Sequence, residues 1–355
     1  MAKVKVSING YGNIGKRVAE AIKKQNDMEL VGASKVNPDY HSHDAIKREI
    51  PLYAISNPDG FTEKNIEISG TVDDMLKKSD VVIDCAPSGV GLMNASLYAR
   101  HPHAKIIYQG GEAANTAPIS FNAQANYDDA VGKKSVRVVS CNTTALSRVI
   151  KSLDDAFGVQ KARVAIVRRA ADPNDASKFT LNAITPTTVY PSHHAVDLNT
   201  VLPHIKITTM SCVAPTTLMH CHMFFATLRN PPSEVSNVFR VIGNNKRLLI
   251  ISAKHGLYST GQIKDLAYEN GRQFGDLYET GVWKEVLGID ADGELGMSLA
   301  IDQQAITIPE TIDAIRAVTA TADKETSMEL TNTSLGIGEL DLKTYAPQIQ
   351  KQKFV

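Results

Sequence analysis

The first third of the chain alternates short apolar segments with amphipathic ones. The apolar segments have the length and composition of buried strands and lie at residues 3–9, 29–34, 80–85, 105–108 and 135–140. After the first of them, helical spacing connects the apolar residues Ile14, Val18, Ala21 and Ile22. Buried parallel strands are usually joined by helices, so this part of the chain predicts a doubly wound α/β sheet.

The pattern changes after Cys141. Apolar residues from Leu146 to Phe157 share one face of a predicted helix that ends at Gly158. Longer strand-like segments follow without regular helices between them, at residues 163–167, 205–210, 218–228 and 247–252. This arrangement predicts an α+β domain with a second sheet that is mixed or antiparallel.

The last part of the chain begins with a helix signal. Residues 307–310 read Thr-Ile-Pro-Glu, which predicts a capping box with proline in the first turn. Ile312, Ile315 and Val318 continue at helical spacing. Beyond about Thr321 the sequence is polar and without periodicity, so we expect a peripheral tail.

The composition limits the classes of function. The 355 residues include 38 basic and 38 acidic side chains, and 43% are hydrophobic, which is ordinary for a globular protein of about two domains. No apolar run approaches the roughly 18 residues of a membrane helix. Four cysteines are too few for a disulfide framework, and no signal-peptide pattern precedes the first strand. We therefore expect a cytoplasmic protein without nucleic-acid or membrane partners.

A glycine-rich loop connects the first predicted strand to the first helix. Gly10, Gly12 and Gly15 form a G-x-G-x-x-G pattern that includes Asn13 and Ile14. The first glycine permits a tight turn, the second lets the backbone approach a pyrophosphate, and the third lets helix and strand pack closely. The amino terminus of the helix adds N–H donors for phosphate. The strand–loop–helix context therefore predicts a dinucleotide site.

The end of the second strand departs from the usual pattern of such sites. An acidic residue there normally binds the ribose 2′-hydroxyl, but this chain has Ser34 and Lys35 and no carboxylate before Asp39. A hydroxyl and an ammonium group suit a 2′-phosphate better, which favours NADP, or the use of both NADP and NAD. The alternative is that Lys35 is a solvated surface residue.

A cysteine follows a later strand of the same sheet. Cys141 comes after the strand of residues 135–140 and begins a helix. Ligands bind at the carboxyl ends of strands in open α/β sheets, and a helix amino terminus lowers the pKa of a thiol. Cys141 is therefore a candidate nucleophile, whereas Cys85 lies within its strand and is expected to be structural.

Histidines are candidates for the proton transfer that a cysteine nucleophile needs. They lie in two segments, at His193 and His194 and at His220 and His222. On a strand, His220 and His222 face the same way, so both could line one site. The alternative is a metal site built from Cys212, His220, Cys221 and His222. The spacing matches no common zinc pattern, and neighbouring residues of a strand face opposite sides, so no metal is expected.

Arg168 and Arg169 form the one adjacent arginine pair in the chain, at the end of a predicted strand. Paired guanidinium groups suit phosphate. A solvated basic surface is the alternative, but beside a candidate nucleophile and a dinucleotide loop we prefer an anion site.

Together these segments resemble a known family. Similarity to archaeal-type phosphorylating glyceraldehyde-3-phosphate dehydrogenase appears, in chain order, at residues 8–17, 138–144, 167–173, 191–194, 215–220 and 308–316. The resemblance runs from residue 3 to about residue 318 and leaves the tail unexplained. It implies a Rossmann domain for NADP or NAD over residues 1–140 and a catalytic domain over residues 141–304. In residues 305–355, it implies a helix that returns to the nucleotide domain, followed by the polar tail.

The resemblance also implies roles for single residues. Cys141 would be the nucleophile and His220 the general base and acid. Asn13 and Ile14 of the glycine loop would hold the pyrophosphate, and Gly111, Arg169 and Gln303 would lie near the cofactor. The substrate or phosphate would contact Ser140, Asn142, Thr143, Arg168, His193 and His194. The implied enzyme is a homotetramer that oxidises glyceraldehyde 3-phosphate with inorganic phosphate to 1,3-bisphosphoglycerate, a reaction of glycolysis and gluconeogenesis.

Two positions depart from the family pattern, and two alternative functions stay open. Asp302 stands where the family often has His, and Ala195 where it often has Gly. A related Cys/His semialdehyde dehydrogenase, such as aspartate-semialdehyde dehydrogenase, would need a clamp for a substrate carboxylate in place of two phosphate pockets. A non-catalytic dinucleotide-binding protein would keep the glycine loop but would need neither Cys141 nor His220.

Overall fold

The chain divides into two units, each built around its own β-sheet. The first unit comprises Met1–Ser140 and Thr307–Leu335, and the second comprises Cys141–Ile306 and the residues from Gly336 onward. The computed structural model describes residues 2–109, 111–172, 182–340 and 342. Among these residues, no helix is both long enough and apolar enough to cross a membrane.

Parallel strands and short helices alternate in the first unit. Up to Ser140 they are, in chain order, β1 Val4–Asn9, α1 Asn13–Lys23, β2 Met28–Lys35, α2 Tyr40–Lys47, β3 Leu52–Ala54, α3 Pro58–Glu63, α4 Val72–Leu76, β4 Val81–Asp84, α5 Val90–Met93, α6 Ala95–Ala99, β5 Lys105–Tyr108, β6 Ser120–Phe121, α7 Ala123–Asn126 and β7 Ser135–Val138, with 3₁₀ helices at Ala114–Thr116 and Tyr127–Ala130.

The sheet of the first unit has the strand order β3-β2-β1-β4-β5-β7-β6, and all of its strand pairs are parallel. The prediction of a doubly wound α/β sheet is confirmed. The order reverses between β1 and β4, which places a ligand-binding crevice at their carboxyl ends, next to Gly10 and Cys85. The strands β3 and β6 are three and two residues long and were not indicated by the apolar pattern.

Apolar burial holds the helices of this unit onto the sheet. Helix α1 buries Val18, Ala21 and Ile22, and strand β1 buries Val6 and Ile8. Burying an aliphatic side chain of this size contributes about 1.5–3 kcal/mol. The amphipathic spacing seen in the sequence therefore fixes how α1, and with it the glycine loop, lies against β1.

The second unit has a mixed sheet and a long first helix. Its elements are α8 Cys141–Phe157, β8 Val159–Arg169, β9 Thr185–Pro186, α9 His193–Asn199, β10 Lys206–Ala214, β11 His220–Leu228, α10 Val235–Gly243, β12 Leu248–Ile251, α11 Thr260–Glu269, β13 Thr280–Trp283, β14 Gly288–Ile289 and β15 Glu294–Ile301, with 3₁₀ helices at Ala253–His255, Gln273–Gly275 and Lys284–Val286.

The strand order of this sheet is β12-β13-β15-β11-β8-β10-β9, with β14 paired to β15. The pairs β8–β10 and β12–β13 are parallel and the others are antiparallel, so the predicted mixed sheet is confirmed. Helix α8 packs on one face, where His222, Phe224 and Ala226 of β11 are buried. On the other face, Met223 and Phe225 of the same strand are exposed.

Two helices complete the first unit, α12 Ile308–Thr319 and α13 Lys324–Leu335. The predicted capping box at the start of α12 is wrong. Thr307 makes no side-chain cap hydrogen bond, and the carboxylate of Glu310 instead accepts a hydrogen bond from the backbone N–H of Ala123 at 2.7 Å. Proline does lie in the first turn, as predicted.

The prediction of a patternless tail after Thr321 is also wrong for the described residues, because α13 lies there. The helix packs through polar contacts, which a search for apolar periodicity does not find. Ser327 and Thr331 donate to the carboxylate of Asp313 at 2.8 and 2.6 Å, and Arg316 donates to the Thr331 hydroxyl at 2.8 Å. The rest of the predicted tail, at residues 341 and 343–355, lies outside the described residues.

Candidate active site and dinucleotide site

The three glycines of the loop after β1 fulfil three different steric requirements. Gly10 has a φ of +106°, and a Cβ there would lie 3.0 Å from the carbonyl carbon of Cys85. A Cβ on Gly15 would lie 2.2 Å from the carbonyl oxygen of Gly10, so helix α1 could not pack as it does. A Cβ on Gly12 would meet no heavy atom within 4 Å in the part of the chain that the structure describes. The space beside Gly12 is therefore open at the point where a pyrophosphate would approach.

The amino terminus of α1 faces this open space without a side-chain cap. Gly12 is the N-cap residue, and the first turn contains no acidic residue. Asn13 and Ile14 begin the helix and are partly exposed. Uncapped N–H groups and the positive end of a helix dipole favour an anionic ligand, so this loop fits the phosphates of a dinucleotide.

At the end of β2, Lys35 lies next to a carboxylate. Its ammonium group donates to the backbone oxygen of Tyr11 at 3.1 Å and lies 2.9 Å from a carboxylate oxygen of Asp39. Asp39 is the N-cap residue of α2, and its side chain accepts from the N–H groups of His41 and Ser42. A cation and an anion therefore occupy the position at which the ribose of a dinucleotide is recognised.

Ser34 does not have the role that the sequence predicted for its side chain. The residue is fully buried, and its hydroxyl donates to Asn9 at 2.6 Å. Asn9 in turn donates to the hydroxyl of Tyr98 at 2.7 Å. The Ser34 hydroxyl thus belongs to a network inside the sheet and is not presented to a 2′-phosphate.

Gly111 is exposed, with a φ of +74°, and a Cβ there would have no heavy atom of the described residues within 4 Å. Its neighbour Gly110 lies outside the described residues. The open space around Gly111 is compatible with its predicted place beside the cofactor.

In the second unit, α8 and β11 bring the two candidate catalytic side chains together. Cys141 is the first residue of α8 and His220 the first of β11. The Sγ atom of Cys141 lies 3.5 Å from Nε2 of His220. On the other side of the ring, Nδ1 accepts a hydrogen bond from the backbone N–H of Arg169 at 3.0 Å. The neutral ring therefore carries its proton on Nε2, facing the sulfur.

The protonation states of this pair follow from burial. Desolvation raises the pKa of the Cys141 thiol to about 11, although the guanidinium groups of Arg169 and Arg168 act in the opposite direction. Desolvation also holds the pKa of His220 well below its usual value. The backbone N–H groups of Asn142 and Cys141 at the helix amino terminus do lower the pKa of this thiol, but desolvation outweighs them, so the predicted net lowering does not occur. The resting pair is a thiol and a neutral imidazole.

His222 and Asn142 form a buried pair behind Cys141. The Nε2–H of His222 donates to Oδ1 of Asn142 at 2.9 Å. Burial lowers the pKa of His222 to about 3, so the ring is neutral. His220 and His222 do face the same side of β11, but His222 holds the residue after the nucleophile instead of touching the nucleophile itself.

Two predicted substrate contacts have partners within the protein. Asn142 is 3% exposed, and its side chain accepts a hydrogen bond from His222. Thr143 is fully buried, and its hydroxyl donates a hydrogen bond to the carboxylate of Asp197. The prediction that these two side chains contact the substrate is therefore not supported. Ser140 remains partly exposed next to Cys141.

Candidate anion ligands surround the Cys141–His220 pair. The positive charge of Arg168 lowers the pKa of His193, of His194 and of His220. His193 is exposed, and its ring lies 3.9 Å from that of the buried His194. Neither ring nitrogen of His194 has a hydrogen-bond partner among the described residues. Buried polar atoms without a protein partner are typical of a ligand site.

Among the residues that the structure describes, Arg169 has a carboxylate partner. Its Nη2 atom lies 2.7 Å from Oδ1 of Asp172, which also accepts a hydrogen bond from the side chain of Gln304 at 3.1 Å. Asp302, one of the departures from the family pattern, pairs with Lys264 at 2.9 Å. Asp172, Gln304 and Lys264 were missed by the sequence analysis. Only Asp172 gave a local signal, because it stands three residues after Arg169.

Gln303 lies in the turn after β15 and is 8% exposed. Its amide oxygen is buried without a hydrogen-bond partner in the part of the chain that the structure describes. Ala195, the other departure, is buried in α9.

The four residues weighed for a metal site do not form one. Cys221 lies between His220 and His222 on β11 and therefore points to the opposite face of the sheet. Through its register with Val167, Cys221 shares that face with Cys212 of β10. No group of three or more potential metal-ligating side chains occurs within the described ranges.

Comparison with known proteins finds two matching families. Residues 140–256 match the family described as glyceraldehyde 3-phosphate dehydrogenase, C-terminal domain. Residues 4–111 match the family described as dihydrodipicolinate reductase, N-terminus. The boundary between the two matches falls in the region where the first unit ends and α8 begins.

Curated relatives match nearly the whole chain. Glyceraldehyde-3-phosphate dehydrogenase of Archaeoglobus fulgidus is 45% identical over 343 residues, which cover 96% of this chain and 100% of the relative. The enzyme of the same name from Thermococcus kodakarensis is 45% identical over 337 residues, covering 94% and 99%. That of Metallosphaera sedula is 44% identical over 338 residues, covering 95% and 98%.

A Rossmann-type parallel sheet and a match to a dehydrogenase C-terminal domain define this protein as an oxidoreductase that uses a nicotinamide dinucleotide. With 45% identity to a curated relative over 96% of its length, the chain belongs to the glyceraldehyde-3-phosphate dehydrogenase family. The predictions of the family, the enzyme class and NAD or NADP as cofactor are confirmed.

Proposed function

We propose that Cys141 forms a thioester with the acyl group of D-glyceraldehyde 3-phosphate, which inorganic phosphate then releases as 1,3-bisphosphoglycerate. The observation that carries this proposal is the 3.5 Å distance between Sγ of Cys141 and Nε2 of His220. Arg168 and His194 lie nearby with polar atoms that have no partner among the described residues, as an anionic substrate requires. A cysteine, a proton-bearing imidazole and anion ligands together match the chemistry of phosphorylating aldehyde oxidation.

In the first half of the reaction, the Cys141 thiol releases its proton to solvent, which the guanidinium charges of Arg169 and Arg168 favour, and the thiolate then adds to the aldehyde carbon to form a thiohemiacetal oxyanion. The Nε2–H of His220 is placed to donate to the sulfur before this step and to the oxyanion after it. Hydride then leaves from the oxyanion carbon, and the C–O bond becomes the carbonyl of the thioester. A nicotinamide dinucleotide, when bound, would supply the acceptor for this hydride.

This assignment differs from a general-base role for His220. Nδ1 accepts the N–H of Arg169, so the ring already holds its one proton on Nε2. Taking up a second proton would cost the ring its hydrogen bond to Arg169. Because hydride leaves from an oxyanion, no hydroxyl proton has to be removed in this step. We therefore assign His220 the role of a hydrogen-bond donor to the reacting oxygen.

In the second half of the reaction, inorganic phosphate attacks the thioester carbon. The C–S bond breaks, the thiolate of Cys141 is regenerated, and the proton of the attacking hydrogenphosphate is released. We assign Arg168, His193, His194 and Ser140 to the phosphate groups of the substrate and of the attacking phosphate. Support comes from the charge of Arg168 and from the two unpartnered ring nitrogens of the buried His194.

In the first unit, we assign cofactor binding to Gly10, Gly12, Asn13, Ile14, Gly15, Lys35 and Gly111. Open space at Gly12 and the uncapped amino terminus of α1 support the pyrophosphate site. Lys35 supports the use of NADP, while Asp39 beside it supports the use of NAD. For Arg169 and Gln303, contact with the cofactor stays a prediction that rests on the family resemblance.

We further propose a homotetramer located in the cytoplasm. Support for self-association comes from the outer face of the mixed sheet, where Met210, Met223 and Phe225 are 65%, 38% and 44% exposed. Met210 and Met223 both pair with Ala165, so they lie in one row across three strands. All four cysteines are free thiols, which suits a reducing compartment. Light scattering of the purified protein measures the molar mass of the assembly and so tests the tetramer. Phe225→Glu, on the exposed face, is expected to lower that measured mass.

The reaction is tested by following reduced nicotinamide absorbance with glyceraldehyde 3-phosphate and NAD or NADP, with and without inorganic phosphate. We expect sustained turnover only with phosphate, and its loss in Cys141→Ser. Cys221→Ser is the matched control, because this thiol faces the opposite side of the sheet, and it should keep its activity. Turnover with aspartate semialdehyde but not glyceraldehyde 3-phosphate would overturn the proposal in favour of a semialdehyde dehydrogenase.

A further inference from the structure

A chain of hydrogen bonds runs behind the Cys141–His220 pair and ends in residues to which the reaction assigns no role. Asp172 is its middle member. Oδ1 of Asp172 lies 2.7 Å from Nη2 of Arg169 and accepts a hydrogen bond from Nε2 of Gln304 at 3.1 Å. A partly buried carboxylate with two donors on one oxygen is held in a defined position.

The far end of the chain is more deeply buried. Asp302 is 2% exposed and accepts from Nζ of Lys264 at 2.9 Å, from the N–H of Leu277 at 3.1 Å and from the N–H of Gln304 at 3.1 Å. These bonds fix the turn that contains Gln304. The aspartate at position 302, a departure from the family pattern, therefore has a structural reason, because its carboxylate matches the buried cation of Lys264.

The near end of the chain reaches the reacting atoms through one residue. The backbone N–H of Arg169 holds Nδ1 of His220, while its guanidinium group is held by Asp172. The same guanidinium group has the larger effect of the two positive charges that lower the pKa of Cys141 and so favour its thiolate form. Any shift of Arg169 would thus change both the orientation of the imidazole and the charge beside the sulfur.

We propose that Asp172 is a positioning residue for the Cys141–His220 pair, acting through Arg169, and that Gln304 and Asp302 hold Asp172 in place. The carboxylate has two effects. It anchors the guanidinium group near Cys141, and it neutralises part of the guanidinium charge. This inference rests on the proposed function for its importance in turnover, but the arrangement itself is measurable without any substrate.

The test is the rate at which iodoacetamide alkylates Cys141 between pH 7 and 10, followed by mass spectrometry of the Cys141 peptide. The charges that act on this thiol are the guanidinium groups of Arg169 and Arg168 from β8, and the neighbouring His220 is in turn affected by His222 of β11 and His194 of α9. Because the assay needs neither aldehyde nor dinucleotide, a failed turnover assay with the expected alkylation rates would count against the proposed function alone.

Two variants of Asp172 separate its two effects. Asp172→Asn keeps an oxygen for Arg169 and Gln304 but removes the negative charge, so we expect faster alkylation. Lowering a thiol pKa by one unit raises the thiolate fraction about tenfold but reduces its nucleophilicity about threefold, so the expected gain at pH 8 is about threefold. Asp172→Ala releases the guanidinium group, so we expect slower alkylation, close to that of Arg169→Ala.

Additional variants keep the proposal falsifiable. In the Arg169→Ala background, Asp172→Asn should have no further effect, because Asp172 acts through Arg169. Asp155→Asn is the matched control, since it removes a carboxylate from the exposed ion pair with Lys151 in the same unit and should leave alkylation unchanged. Equal rates for wild type and both Asp172 variants would overturn the proposal. The proposal would also be overturned if Cys141 were alkylated in Asp172→Ala as fast as in Asp172→Asn, or faster, since Arg169 would then keep its place without an anchor.

Discussion

The backbone N–H of Arg169 donates to Nδ1 of His220 over 3.0 Å, and on the other side of the same ring Nε2 lies 3.5 Å from Sγ of Cys141. An imidazole nitrogen that accepts a hydrogen bond carries no proton, so the proton of the neutral ring is on Nε2. The strand β8 therefore selects the tautomer that presents a donor to the sulfur. This relationship makes the role of His220 testable by substitution.

A donor at position 220 should be partly replaceable by an amide. His220→Gln offers an N–H near the position of Nε2 but cannot exchange protons, whereas His220→Ala offers neither. Loss of one oxyanion donor typically costs a factor of about 10²–10³, so we expect this loss for His220→Ala and only about a tenfold loss for His220→Gln. Single-turnover formation of reduced nicotinamide, measured before phosphate is added, gives the two rates. Equal losses would favour a general-base role instead.

The pH dependence of Cys141 reactivity should show no plateau in the ordinary range. Burial raises the pKa of this thiol to about 11, so the thiol is protonated at neutral pH and its thiolate fraction grows about tenfold per pH unit. We expect the iodoacetamide rate of the wild type to rise steadily from pH 7 to 10. Arg168→Ala should lower the rate at every pH, because it removes a charge that favours the thiolate. A plateau below pH 9 would mean that the helix amino terminus outweighs burial.

Gly12 and Gly15 should respond differently to the same substitution. Gly12→Ala places a methyl group in open space with an extended backbone, so the fold is expected to be unchanged while the binding of NAD and NADP weakens at least tenfold. Gly15→Ala places a methyl group 2.2 Å from the oxygen of Gly10, so it should lower the melting temperature of the unliganded protein. Calorimetry and nucleotide titration together measure both effects. Unchanged nucleotide affinity in Gly12→Ala would place the pyrophosphate elsewhere.

Lys35 and Asp39 should shift cofactor preference in opposite directions. A charge-assisted hydrogen bond to a 2′-phosphate contributes about 1.5–3 kcal/mol, so Lys35→Ala is expected to weaken NADP by at least tenfold and NAD much less. Asp39→Asn removes the carboxylate 2.9 Å from the ammonium group, and asparagine is still a good N-cap residue for α2. We therefore expect this variant to favour NADP over NAD relative to the wild type. Equal changes for the two nucleotides would show that neither side chain recognises the 2′-phosphate.

Much of the fold follows from apolar periodicity, and the errors occur where polar contacts decide the structure. The alternation of strands and helices over residues 1–140 is strong because the sheet is buried on both faces. Helix α13 has no such signal, since Ser327 and Thr331 dock on Asp313 through hydroxyl groups. A capping-box pattern at Thr307 failed for a related reason, because Glu310 binds the backbone of Ala123 instead.

In the candidate site, too, some residues were predictable from the sequence, whereas others depend on polar contacts that only the fold creates. Cys141 was found from its residue type and its place after a strand, whereas the sequence offered four candidate histidines and the family resemblance selected His220. The structure brings Cys141 and His220 within 3.5 Å. Ser34 was misread because its strand-end position did not reveal that its hydroxyl turns toward Asn9. Gln304 and Lys264 could not be found, since they approach Asp172 and Asp302 only through the fold of the second unit. Charge neutralisation by a distant residue leaves no local pattern in a sequence.

A buried ion pair should control the stability of the second unit. Arg272 binds both carboxylate oxygens of Glu279, at 2.6 and 2.7 Å, and Glu279 is fully buried. The pair also holds the segment after α13, because Arg272 donates to the carbonyl of Gly336 at 2.7 Å and Glu279 accepts from the N–H of Gly338 at 2.8 Å. Breaking such a pair leaves one buried charge without compensation.

Glu279→Gln keeps the shape of the side chain but removes its charge, so we expect the unit to lose about 3 kcal/mol of unfolding free energy. For a unit of this size the melting temperature should fall by roughly 6–12 °C. Glu269→Gln, at an exposed position of α11, is the control and should change neither quantity. Replacing both partners, in Arg272→Met with Glu279→Leu, should cost less than Glu279→Gln alone, because no unpaired charge remains. A double variant less stable than Glu279→Gln would show that the hydrogen bonds to Gly336 and Gly338, and not charge pairing, provide the stability.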